Sequence, residues 1–402
     1  MVNLYNTLKL KVLVGAAVCC TAVSFAQKVE TDTVAVFEEK IVLNPVDEKF
    51  PKFKVGGVFQ SRFSANFKEN VDIDGLHHSD GSGTHNTFDV KRMRVSMGVK
   101  VTKNLEVTAL ANFADFKQKD VSTRVLENAF AKYTVNRYLQ ITVGQFRPLF
   151  GMEETMPVDV LRSIDYTNSY YTFGRLGWTS FQVGAAITGS VDLGDVPMSY
   201  GFSVTNGNGK NKTDNDDGKN YSSRLLFNLD KKHNLNVGVS GGIAEVNKEK
   251  AYAVGVEATA KLPITERWSI DFQTEAKQAT NHEQYFKALN ASIVDGVPTL
   301  TSKIDDYKVK SFYFVPNIRY EIGAKTFHAI EFACRYEYLD ENSTLNSNAR
   351  QTWIPMLTLE VLKNYGVRIQ AGMQIDNFKH NIENSKTYNS NLAFLQLQCR
   401  FL

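Results

Sequence analysis

The sequence predicts an all-β fold: a transmembrane, antiparallel, up-and-down β-barrel of sixteen strands with one long loop folded inward. Three observations carry that reading. Apolar and polar residues alternate with period two in segment after segment, as in strands with one oily and one wet face. The segments are joined alternately by short turns and long loops, the asymmetry of a barrel whose two rims meet different compartments. Beyond the opening stretch, nothing approaches the roughly 18 consecutive apolar residues that a membrane helix needs.

The opening stretch, residues 1–26, reads as an export signal. Lys9 and Lys11 supply its positive start and residues 12–22 are apolar and small. Ser24-Phe25-Ala26 is a small-x-small cleavage site, so the mature chain is expected to begin at Gln27. Cys19 follows Val18 rather than a small residue, which argues against lipidation. A polar segment then covers residues 27–50, and the barrel takes residues 51–402.

The first strand sets Phe53, Val55, Phe59 and Phe63 against Lys54, Gln60, Arg62 and Asn66. The second sets Met93, Val95, Met97 and Val99 against Arg92, Arg94, Ser96 and Lys100. Far along the chain, Trp268, Ile270 and Phe272 oppose Asp271, Gln273 and Glu275, and Val367, Ile369 and Ala371 oppose Arg368, Gln370 and Gln374. The last strand places Leu395, Leu397, Cys399 and Phe401 opposite Gln396, Gln398 and Arg400. It is expected to close against the first and abolish the sheet edge.

Sixteen such segments begin near residues 52, 89, 105, 126, 138, 179, 198, 221, 235, 251, 268, 310, 328, 352, 366 and 392. Each runs about 9–13 residues, enough to cross a bilayer when tilted. Short turns are expected at 102–104, 136–137, 192–196, 230–234, 263–267, 323–325 and 363–365. Long loops are expected at 68–87, 147–178, 206–219, 280–307, 340–350 and 378–390. An even strand count puts both chain ends on one side, the periplasm, with the long loops outside a bacterial outer membrane. Tyr133, Tyr138, Trp178, Trp268, Tyr336, Tyr338 and Trp353 lie near strand ends and are expected to form interfacial girdles. A secreted sandwich or solenoid also alternates, but its connections do not alternate in length.

The formal charge is +3, or +1 once the two lysines of the leader are removed. That leaves no basic excess for nucleic acid. Only Cys334 and Cys399 follow the leader, too few for a disulfide framework; both read as small apolar side chains on strands.

The first half carries a more specific signal. FDVKRMRVSMGVKV (88–101), LENAFAKYTV (126–135), ITVGQFRPLFGMEE (141–154), Arg175-Leu176-Gly177 and YGFSVTNGNG (200–209) occur in order over residues 50–230. In these motifs the chain resembles the phosphate-selective porin O and P family. The resemblance implies a sixteen-stranded porin, usually a homotrimer, with loops folded inward to narrow the channel. It also implies lumen arginines and a loop lysine cluster that favour anions, phosphate in the best-known members. The second half matches in strand rhythm alone.

The segment 147–178 is the expected constriction loop. It carries Arg147, Arg162 and Arg175 with Glu153, Glu154, Asp159 and Asp165, and Pro148 and Gly151 would turn it into the lumen. It contains no lysine, so the family's lysine trap does not carry over. An exposed outer loop with solvated charges is the alternative. What remains is a row of wall arginines, Arg62, Arg92, Arg94 and Arg224, predicted to face the lumen. Guanidinium suits oxyanions by bidentate geometry, and a charge in a narrow constriction acts strongly. Inward acids are as common: Glu106, Glu257, Asp271, Glu275, Glu331, Glu337, Glu360 and Asp376. Opposed walls can pair or set up a transverse field.

His77, His78 and His85 share an outer loop with acids, but their spacing fits no structural zinc motif. No metal or other cofactor is expected. Nor is there a GxSxG or a Ser-His pairing on adjacent strands, so an outer-membrane hydrolase is disfavoured. The predicted function is passive diffusion of small hydrophilic solutes, with at most a mild preference for anions. The expected partners are outer-membrane lipid, lipopolysaccharide and further copies of the chain. A non-conducting structural or adhesive barrel is the rival reading.

Overall fold

A computed structural model describes residues 49–117, 124–295 and 297–401. The expected export signal, residues 1–26, and nearly all of segment 27–50 lie outside the described residues. The barrel strands are β1 (Lys52–Asn66), β2 (Asn86–Lys100), β3 (Leu105–Asn112), β4 (Leu126–Asn136), β5 (Leu139–Phe146), β6 (Gln182–Leu193), β7 (Val196–Thr205) and β8 (Asn220–Asp230). They continue as β9 (Leu235–Val246), β10 (Glu249–Pro263), β11 (Trp268–Thr280), β12 (Lys308–Glu321), β13 (Ala329–Asp340), β14 (Arg350–Leu362), β15 (Val367–Phe378) and β16 (Ser390–Phe401). Neighbours pair antiparallel around a closed sheet. β16 seals it against β1, with Gln60 opposite Gln398 and Phe63 opposite Leu395.

Every strand starts within three residues of its sequence-predicted position, because a two-residue period pins the register once one face is oily. The pattern fails at a bulge where Gln60 pairs Arg92 but Ser61 pairs Val90, so that Lys91 opposes nothing. The expected length alternation also fails once. β9 and β10 meet at Asn247-Lys248, both at positive φ, a tight hairpin on the long-loop side.

Phe53, Val55, Val254, Val256, Phe312, Leu357 and Leu395 are exposed on the outer face, where lipid replaces water. Trp268 packs on Tyr320 and Tyr336 on Trp353, each pair with ring centroids 4.6 Å apart. They mark the short-turn and long-loop levels of the outer wall. Trp178 does not join them. It is fully buried inside the barrel against Phe150, because the loop that bears it turns inward. Cys334 and Cys399 are thiols on the outer face of β13 and β16.

Residues 147–181 leave β5, enter the barrel and return to β6, carrying the helix α1 (Asn168–Arg175). Thr167 caps that helix by accepting from the Tyr170 amide. The loop brings its own apolar residues inside. Phe150, Phe173, Leu176 and Trp178 pack on Ala251, Ala253, Ala279, Val309 and Leu339. Met152 meets Tyr313 and Val315, and Ile164 meets Ile354, Met356 and Phe394. Each such burial is worth about 1.5–3 kcal/mol, so the loop is held by packing as well as by charge. A second helix, α2 (His282–Ala291), rides on the loop between β11 and β12.

Candidate functional site in the barrel lumen

Gly151 makes the inward turn. Its φ is +85°, a conformation that favours glycine, and a Cβ there would crowd Glu275 Oε1, so that carboxylate would have to move. The turn is fixed to the wall: Gly151 N donates to Ser240 Oγ (3.0 Å) and Met152 N to Glu275 Oε1 (2.8 Å). Further along, Ser169 N donates to Glu337 Oε1 (2.9 Å), and Asn168 Nδ2 to Glu337 Oε2 and Thr352 Oγ1 (both 3.1 Å). The loop therefore docks across β9–β14.

The seven sequence-predicted arginines do not form one ring. Arg62 and Arg92 converge on Asp165 of the loop, with Lys91 3.9 Å from the same carboxylate. Burial pushes that carboxyl up, but Arg92, Lys91 and Arg62 outweigh it and hold Asp165 well below the usual carboxylate range. Arg94 Nη2 donates to Glu127 Oε1 at 2.7 Å, and Arg224 is paired bidentately with Glu257. Arg147 donates to the Met156 carbonyl (3.0 Å) and lies over the rings of Phe181 (4.9 Å) and Tyr166 (5.1 Å). Arg162 donates to Asp271 Oδ1 (3.0 Å) and to the Tyr365 hydroxyl (2.6 Å). Arg175 sits at the long-loop end between Glu283 (3.0 Å) and Glu341 (2.8 Å). Each guanidinium thus meets a carboxylate or a carbonyl, and Arg62 and Arg92 share theirs, Asp165.

Two loop carboxyls behave differently. Glu153 accepts from Thr167 N (2.9 Å) and Oγ1 (2.5 Å), and Glu154 from Ser180 N (2.9 Å). Burial pushes Glu153 up to about 7 and Glu154 up to about 8, against the opposing pull of Lys277 and Arg147.

The family model for phosphate-selective porin O and P matches residues 63–287, more than half of the chain. The chain belongs to the phosphate-selective porin O and P family. No curated protein matches this porin in sequence. Solved structures match its fold at low identity. The outer membrane channel DcaP of Acinetobacter baumannii is 12% identical, with a TM-score of 0.54 over 87% of this chain and 97% of that one. OmpF of Salmonella typhi, in complex with daunomycin, is 11% identical, with a TM-score of 0.56 over 87% and 98%. A trimer form of OmpT from Vibrio cholerae is 10% identical, with a TM-score of 0.51 over 88% and 100%. The porin resides in the outer membrane and acts in passive diffusion.

The docked loop divides the porin's lumen. On β12–β16 the inward side chains are mostly buried beneath it: Ser311, Asn317, Glu331, Arg335, Glu337, Thr352, Arg368, Gln370 and Gln396. On β3–β5 the inward Glu106, Thr108, Leu110, Asn128, Lys132 and Thr142 stay partly accessible. Between β1–β4, the end of β16 and loop residues 154–159 lies a cavity of about 330 Å³, lined among others by Arg94, Ser96, Asn128, Arg147, Asp159 and Arg400.

Sequence reading named Arg94 and Arg147 of that lining but not Arg400, although alternation places Arg400 inward. It also missed Arg335, whose Nη1 donates to the Asp165 carbonyl (2.6 Å), and Arg368, which donates to the Asp159 carbonyl (2.6 Å). Lys91 carried no usable signal, since strict alternation assigns it to lipid and only the bulge turns it in. At the outer rim, His77 stacks on Tyr388 (4.0 Å) and accepts from Asn384 N (3.2 Å), clasping two loops across the β1–β16 seam. His78 instead bonds Asp72 at 2.9 Å.

Proposed function

We propose that solutes cross this porin along the β2–β5 wall, past loop residues 154–159. The observation that carries this reading is the accessible polar strip on β3–β5 with its adjoining cavity, set against the buried lumen face of β12–β16. The selectivity we assign is a mild preference for anions. Arg62, Lys91 and Arg92 share one carboxylate, Asp165, which leaves that corner positive, while Glu257, Asp271 and Glu275 line the far wall. Arg94 and Arg147 border the passage, Arg162, Arg175 and Arg224 hold the loop and the wall, and small oxyanions are the solutes favoured.

We further read the chain as a homotrimer in lipid and lipopolysaccharide, and as a channel rather than an enzyme. A porin of like fold is described in a trimer form, which supports the first. Planar-bilayer recording in a potassium chloride gradient tests the proposal. An ohmic conductance with its reversal potential displaced toward chloride supports it. Silence, or displacement toward potassium, refutes it.

A further inference from the structure

The periplasmic turn 363–366 between β14 and β15 holds a conformational oddity. Asn364 and Tyr365 both have positive φ, +57° and +60°. Asparagine tolerates that region, but tyrosine enters it rarely and at a cost. Turn chemistry alone asks for glycine or asparagine at residue 365. A bulky residue kept where a small one fits better points to something the side chain does.

Its contacts say what. Two guanidinium groups lie over the Tyr365 ring, Arg162 at 5.3 Å and Arg368 at 5.0 Å from its centroid. Arg162 Nη1 donates to its hydroxyl at 2.6 Å. Its amide donates to Glu360 Oε1 at 2.9 Å, and its carbonyl accepts from Gln398 Nε2 at 3.4 Å. Arg162 belongs to the inward loop, while Arg368 belongs to β15 and donates to the loop carbonyls of Asp159 (2.6 Å) and Leu161 (3.2 Å). Arg400 holds the Asp159 carboxylate at 3.1 Å. The lowest part of the loop, 159–162, is therefore gripped from the periplasmic rim, with Tyr365 at the centre of the grip.

We propose that Tyr365 is a positioning residue for diffusion: it anchors the loop tip from below and so keeps Asp159 at the edge of the passage. This rests on the pathway given above. The test uses the whole porin in planar bilayers, with Tyr365→Gly and Tyr365→Phe. Glycine suits the turn, so Tyr365→Gly should keep or gain resistance to heat in detergent while its conductance rises and its steady level breaks into fluctuating sublevels. Tyr365→Phe keeps the ring and loses only the hydroxyl, and should show added noise at near wild-type conductance.

A Tyr365→Gly variant with wild-type conductance and noise overturns the proposal. So does one that loses heat resistance and conductance together, since that marks a residue needed only for the turn. Failure of the porin reading would look different, because the wild-type chain itself would be silent.

Discussion

Neutralising Asp165 tests the electrostatic reading of the lumen. The carboxylate lies among Arg62, Lys91 and Arg92 and accepts from the Tyr171 hydroxyl at 2.9 Å. Asp165→Asn keeps the shape and removes one negative charge, so the corner gains a full positive charge. For an ion passing about 10 Å away, one charge in water is worth about 0.4 kcal/mol. At 0.1 M salt, where 10 Å is one Debye length, this falls to about 0.15 kcal/mol. Anions gain that amount and cations lose it, so the chloride-to-potassium permeability ratio should rise about 1.7-fold at 0.1 M and about 3-fold at 0.01 M. The same change leaves the buried guanidinium groups of Arg62 and Arg92 without their counter-charge, a cost on the order of 3 kcal/mol when a buried pair is broken. The loop should therefore also become noisier, while the barrel ladder holds. Reversal potentials in salt gradients at both ionic strengths are the assay. A ratio that does not change at 0.01 M, or one that moves toward potassium, would refute the reasoning.

Three further outcomes follow from the same geometry. Gly151→Ala forces a side chain into Glu275 at a positive φ, so the loop should undock and single-channel conductance should rise; an unaltered conductance would show that the turn is not what seats the loop. Glu153 and Glu154, raised when docked to about 7 and about 8 from the ordinary carboxyl value of 4.5, bind extra protons in the docked state. Docking is then most stable at and below pH 4.5 and weakens as pH rises through 7–8. Open-channel noise should be greater at pH 8.5 than at 5.5, a difference that Glu153→Gln with Glu154→Gln should abolish; noise that grows on acidification would contradict the sign. Finally, in a cysteine-less background Arg94→Cys should react with a charged, water-soluble thiol reagent and Val95→Cys should not; equal labelling would deny that the two face different media.

Much of the barrel was legible because each lipid-facing strand must repeat every second residue. Ile369 and Arg368 can be assigned to opposite media with no knowledge of partners. The lumen was harder. On β12 alternation puts Ser311, Asn317 and Arg319 on the wet face, yet Tyr313 and Val315 share that face and are buried against Met152. An apolar residue at an inward position marks where a loop will dock, but the sequence does not say which loop. The pairing of Arg62 and Arg92 with Asp165 likewise joins residues 103 and 73 positions apart. Charge content shows that partners exist; only the docked loop selects them. The Trp178 assignment failed for the same reason, since a tryptophan beside a strand end serves an interface or a core equally well.

The wall is not the same height all round. β3 and β5 have eight residues each and β1 has fifteen. At about 3.4 Å per residue and a tilt near 45°, these span about 19 Å and about 36 Å of the bilayer normal. The apolar band of such barrels is about 25 Å tall. Lipid tails beside β3 and β5 must therefore compress, at a fraction of a kcal/mol for each ångström, or give way to another protein surface. Above β3 the chain continues as a short 3-10 helix with Phe113 and Phe116 exposed, so the low sector stays oily past the end of its strand. The sector that fits ordinary lipid least well is also the one whose inner side borders the open cavity.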